Sequence, residues 1–163
     1  MGTVGNEKVK IGDVAPDFTL LDQTGTPVRL RDLLGNKTVV LYFYPKDRTP
    51  GCTIEARAFR DSYDAFAEAG AEVVGVSSDS VASHRRFARR HDLPFLLLSD
   101  RGGLVRELYG VEQTLGLLPG RATFVIDPAG VVRHIYSSQL RVLRHSRESL
   151  DVVRALQGAR VGV

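Results

Sequence analysis

The stretch from Tyr42 to Thr53, YFYPKDRTPGCT, constrains this chain most, because it couples a buried strand to a helix through a loop that carries the only cysteine. Ahead of it, Thr38-Val39-Val40-Leu41-Tyr42-Phe43-Tyr44 is β-branched and aromatic, the pattern of a buried strand. After it, IEARAFRDSYDAFAEAG reads as a helix closed by Gly70. Thr49 suits the N-cap, and Pro50 suits the first helical position, where a missing N–H costs nothing. Cys52 then falls in the first turn of the helix. Free backbone N–H groups and the positive end of the helix dipole favour a thiolate there, and the thiolate is the nucleophilic form of sulfur.

The rest of the chain supplies alternating elements. Phe18 to Leu21 and Pro27 to Leu30 read as the arms of a hairpin around the turn Gln23-Thr24-Gly25-Thr26, with a helical turn from Arg31 to Leu34. Ala71 to Ser77 and Phe95 to Leu98 read as apolar strands, separated by a helix capped by Asp79 or Ser80 and reaching about His91. A short helix spans Gly103 to Tyr109, and Val111 to Gly120 reads as a loop. Ala122 to Asp127 and Val131 to Tyr136 form a second hairpin through the turn Asp127-Pro128-Ala129-Gly130. A final amphipathic helix, Ser146 to Gln157, puts Leu150, Val153 and Leu156 on one side. This order predicts an α/β fold with a mixed central sheet and helices on both faces, as in a thioredoxin-like fold with an added N-terminal β-hairpin.

At 163 residues the chain fits a single domain over 1–163. No apolar run is long enough to span a bilayer, and MGTVGNEKVKIGD has no signal-peptide core, so the expectation is a cytoplasmic protein with no membrane partner. One cysteine excludes an internal disulfide and a multi-cysteine zinc site. Arg85, Arg86, Arg89 and Arg90 share one side of a helix, but a net charge of +3 argues for a solvated face, and no nucleic acid is expected. His84, His91, His134 and His145 lack metal-ligand spacing with one another and read as structural or surface residues.

Pro45-Lys46-Asp47-Arg48-Thr49-Pro50-Gly51-Cys52 fits Pro-x-x-x-Thr-x-x-Cys, the peroxidatic motif of the peroxiredoxins. The wider run FYPKDRTPGCTIEARAFRD resembles the peroxiredoxin Q, or bacterioferritin comigratory protein, branch. KIGDVAPDFTL, VVGVSSDS, FLLLSD and GRATFVIDPAGVV resemble that family's later landmarks, in order. The resemblance implies a thiol-dependent peroxidase, needing no cofactor, that reduces hydrogen peroxide and organic hydroperoxides in antioxidant defence. It implies Cys52 as the peroxidatic thiolate, which becomes a sulfenic acid. Thr49 would place a hydroxyl near sulfur and peroxide, Pro45 would shield the thiolate, and Arg121 would stabilise developing negative charge. Glu55, three residues after Cys52 on the same helix face, would pair with Arg121 and hold it in place.

One departure matters. Many peroxiredoxin Q members carry a resolving cysteine five residues after the peroxidatic one, where this chain has Arg57. The resemblance is therefore to a one-cysteine type, whose sulfenic acid is reduced by an external thiol: thioredoxin, glutaredoxin or a low-molecular-weight thiol. A monomer or homodimer is expected. A thioredoxin-type disulfide oxidoreductase is disfavoured, because Thr49 stands where that mechanism needs its other cysteine. A redox sensor needs the same thiolate, and sequence does not separate it from a peroxidase.

Overall fold

The computed structural model describes residues 8–111 and 120–161. Most of the loop expected over Val111 to Gly120 lies outside the described residues. Among them the elements run β1 (Thr19–Leu21), β2 (Pro27–Arg29), α1 (Leu30–Leu33), β3 (Thr38–Phe43), α2 (Pro50–Asp61), α3 (Tyr63–Glu68), β4 (Ala71–Ser77), α4 (Val81–Arg90), β5 (Leu96–Ser99), α5 (Leu104–Leu108), β6 (Ala122–Ile126), β7 (Val132–Ser137) and α6 (Val142–Val161). The strands form one mixed sheet in the order β2-β1-β5-β4-β3-β6-β7. β3 pairs parallel with β4 and antiparallel with β6, and β4 pairs parallel with β5. The N-terminal hairpin adds its β1 antiparallel to β5 at one edge.

Strand β3 is buried at every residue, so its sequence is apolar without alternation. Its side chains still alternate between faces. Val40 and Tyr42 join a core with Ala56 and Phe59 of α2, Phe66 of α3, Phe87 of α4 and Val153 of α6. Val39, Leu41 and Phe43 join the opposite core with Leu30 of α1 and Val105 of α5. The Tyr42 ring stacks on Phe59 at 4.5 Å between centroids, fastening α2 to β3. Gly75 of β4 lies opposite Tyr42 in register, and a Cβ there would come within 2.9 Å of that ring. Only glycine leaves Tyr42 its room.

Two boundaries differ from the sequence reading. The helix expected to run to Gly70 breaks at Ser62, which leaves helical geometry at φ −100° and ψ 4°. The step lets the Tyr63 hydroxyl donate to Glu72 of β4 at 3.2 Å while Phe66 stays buried. The last helix, expected over Ser146 to Gln157, is longer at both ends and runs from Val142 to Val161. Its first turn exposes Leu143, which hides it from a reading based on apolar periodicity.

Candidate active site

The site forms where β3 ends. Phe43 pairs with Ala122, so Arg121, the residue before β6, lies beside the strand end from which the cysteine loop departs. That loop turns sharply, with Arg48 in the left-handed region at φ 64°. Pro50 then opens α2 with Thr49 at the N-cap. Cys52, 1% exposed, sits in the first turn, among backbone N–H groups that have no intrahelical partner.

Arg121 is the hub. Its Nη2 donates to Cys52 Sγ at 3.4 Å, its Nη1 to Glu55 Oε1 at 2.7 Å and its Nε to Gln139 Oε1 at 3.3 Å. Burial works against the guanidinium charge, but Glu55 and Cys52 outweigh it and raise the Arg121 pKa. Gly51 permits the approach: a Cβ there would meet Arg121 Nη2 at 3.2 Å and Val142 at 3.8 Å. Glu55 is fully buried, and burial pushes its carboxyl up to about 8 against the opposing pull of Arg121. Its Oε1 bonds Arg121, whereas Oε2 takes no hydrogen bond among the described residues. The arrangement offers a buried sulfur, a fixed cation beside it, and helix N–H groups able to receive negative charge from a reacting oxygen.

The expected residues thus converge unevenly. Cys52, Glu55 and Arg121 are in direct contact. Pro45 is half-buried in the loop just after Tyr44. Thr49 occupies the N-cap but does not cap with its side chain; its hydroxyl donates to the Lys46 carbonyl at 2.9 Å and so ties the loop to itself.

Several residues that the sequence reading passed over frame the site. Arg106 of α5 is buried and its guanidinium bonds two carbonyls, Tyr44 at the end of β3 and Gly120 ahead of Arg121. It thereby clamps together the two loops that carry Cys52 and Arg121. Asp47 is buried in the cysteine loop and accepts from Tyr44 Oη at 2.6 Å and Ser83 Oγ at 2.9 Å, with His84 Nδ1 at 2.7 Å. Asp47, Asp79 and His84 bring ligand atoms within 4.8 Å of one another. Those atoms are already engaged: Asp79 Oδ2 accepts from Asp47 N and Ser77 Oγ, and His84 Nε2 faces the Leu98 carbonyl at 3.0 Å. The set suits a brace for the loop better than a metal site. Finally, His145 of α6 is fully buried, with Nδ1 3.7 Å from Glu55 Oε2. The sequence reading gave Arg106 and Asp47 no role and took His145 as a structural or surface residue, because only tertiary contact brings the three to the cysteine.

Comparison with known proteins agrees with this geometry. The model of the AhpC/TSA family matches residues 11–135. A chloroplastic peroxiredoxin Q of Triticum aestivum is 53% identical over 150 residues, 91% of this chain and 69% of that protein. The crystal structure of peroxidoxin BcpB from Mycobacterium tuberculosis is 44% identical and superposes with a TM-score of 0.85 over 91% of this chain and 98% of the other. The bacterioferritin comigratory protein of Xanthomonas campestris, a structure concerned with alkyl peroxide reduction, is 32% identical with a TM-score of 0.80, covering 91% and 98%. The chain belongs to the AhpC/TSA family and, within it, to the peroxiredoxins of the Q type, thiol-dependent peroxidases built on a thioredoxin-like fold.

Proposed function

We propose that Cys52 is the peroxidatic residue of this peroxidase and that Arg121, Glu55, Thr49 and Pro45 serve it. The Cys52 thiolate attacks the terminal oxygen of a hydroperoxide. An S–O bond forms, the O–O bond breaks, sulfur is oxidised to sulfenic acid, and the alkoxide or hydroxide leaving group takes a proton to become alcohol or water. Arg121 and the first-turn N–H groups of α2 receive the charge that moves from sulfur to the leaving oxygen. One thiol then displaces water to give a mixed disulfide, and a second releases Cys52 and leaves as a disulfide. The single contact that carries this reading is Arg121 Nη2 on Cys52 Sγ at 3.4 Å, with Glu55 gripping the same guanidinium.

Because the chain has one cysteine, both electrons come from outside: from thioredoxin, glutaredoxin or a low-molecular-weight thiol. The X. campestris relative supports an alkyl hydroperoxide among the substrates, beside hydrogen peroxide. We place the protein in the cytoplasm, as a monomer or homodimer, without nucleic-acid or membrane partners; cell fractionation and sedimentation check this.

The test is peroxide consumption with dithiothreitol, thioredoxin or glutaredoxin as donor, for the wild type and Cys52→Ser. Turnover by the wild type alone is expected, together with a gain of one oxygen atom at Cys52 after one equivalent of peroxide without thiol. Turnover that survives Cys52→Ser would reject the assignment.

A further inference from the structure

His145 stands where the supports of Arg121 converge. It contacts Thr123, two residues along β6 from Arg121, with Nδ1 2.8 Å from Oγ1. It contacts the carbonyl of Ser138 with Nε2 at 2.8 Å, and the next residue, Gln139, holds Arg121 Nε. Its Nδ1 also lies 3.7 Å from Glu55 Oε2, and Oε1 of the same carboxyl holds Arg121 Nη1. The groups surrounding the imidazole are therefore Glu55 from α2, Arg121 just ahead of β6, Thr123 from β6, Tyr136 from β7, packed edge-on at 4.7 Å, and Ser138.

The protonation follows from these partners. A carbonyl only accepts, so Nε2 carries a proton and donates to Ser138. Burial holds the imidazole neutral, pulling its pKa down to about 4; the Ser138 bond opposes this and the Arg121 charge reinforces it. Nδ1 is then a lone pair that accepts from the Thr123 hydroxyl. At 3.7 Å Nδ1 makes no hydrogen bond with Glu55 Oε2, and among the described residues the Glu55 carboxyl is hydrogen-bonded by Arg121.

We propose that His145 is a positioning residue for peroxide reduction: by bridging Thr123 of β6 and Ser138, it locks β6 and the Gln139 segment in the one arrangement that keeps Arg121 Nη2 on the Cys52 sulfur. This rests on the peroxidase reading above. No reacting atom need touch the imidazole, which acts through Arg121.

His145→Phe keeps a ring against Tyr136 and removes both nitrogens; His145→Gln returns a donor and an acceptor. In the full-length protein, His145→Phe is expected to slow reaction with hydrogen peroxide about tenfold and to move the acid limb of the rate–pH profile up by about one unit. His145→Gln recovers most of both. A folded His145→Phe with unchanged rate and profile overturns the proposal. So does a loss of rate and thermal stability with an unmoved profile, which is what a purely structural role produces. If His145→Phe fails to fold, nitrogen NMR of the wild type decides: a proton on Nε2 and a bare Nδ1 at neutral pH support the proposal, and a proton on Nδ1 overturns it. A wild type that consumes no peroxide refutes the peroxidase reading and this one together, whereas an active wild type matched by His145→Phe refutes this one alone.

Discussion

Glu55→Gln exposes the electrostatic tension at the centre of the site through protein stability. Glu55 is fully buried and, among the described residues, its charged partner is Arg121. Burial raises its carboxyl from 4.5 to about 8, more than the guanidinium lowers it. In the unfolded chain the same group ionises at its ordinary value. Between these limits the native protein binds a proton that the unfolded chain has released, so unfolding free energy falls as pH rises, by about 1.4 kcal/mol per unit. The stabilisation from this proton is fully present below the unfolded value and gone above the folded one. Across the interval it amounts to on the order of 5 kcal/mol, a large share of a domain's usual stability. Glutamine has no such proton to lose, and the other titrating groups are common to both proteins. Urea unfolding followed by far-UV circular dichroism, repeated from about pH 5 to 9, gives the difference between the two stabilities. That difference should move in favour of Glu55→Gln by several kcal/mol as pH rises to about 8, and then level off. Parallel stability curves across that range would show that Glu55 is ionised throughout and that Arg121, rather than burial, governs it.

Arg121→Gln removes the donor at 3.4 Å from sulfur and should slow peroxide reduction by about 10²–10³-fold in stopped-flow measurements; an unchanged rate would remove Arg121 from the chemistry. Gly75→Ala drives a methyl group into the Tyr42 ring and Leu97, each 2.9 Å away, and should cost about 1–3 kcal/mol in urea unfolding with an unchanged denaturant slope. An unaltered midpoint would mean that Tyr42 has room to yield. Asp47→Ala strips a partner from Tyr44, Ser83 and His84 at once and should cost about 3–5 kcal/mol, whereas a loss below about 1 kcal/mol would contradict the brace.

The parts of this molecule legible in its sequence are those written locally. β3 and β4 show as unbroken apolar runs, and the first turn of α2 shows through Thr49, Pro50 and Gly51. Arg121 was found by its place before Phe-Val-Ile-Asp, and Glu55 by its helical spacing from Cys52. The break at Ser62 left no Gly or Pro signal, and the exposed first turn of α6 left no apolar period. His145, Asp47 and Arg106 are polar residues whose burial depends largely on partners far along the chain, among them Thr123 and Glu55 for His145, His84 for Asp47 and Tyr44 for Arg106. Nothing in their neighbourhoods distinguishes them from surface residues. The contact of the Thr49 hydroxyl with the Lys46 carbonyl of its own loop likewise has no signal in the sequence.

The near-complete enclosure of Cys52 divides the two halves of the reaction unequally. A peroxide is a handful of atoms and needs only a crevice; the thiol of a donor protein arrives on a surface. Regeneration by such a donor is therefore expected to need the first turn of α2 to fray. Because that helix stops at Ser62, the turn can unravel from a twelve-residue segment while Phe66 stays seated on the sheet. The expected outcome is that, with peroxide in excess, turnover by a protein reductant rises with gentle warming more steeply than turnover by a small thiol, well before the fold gives way; equal temperature dependences would exclude such an opening.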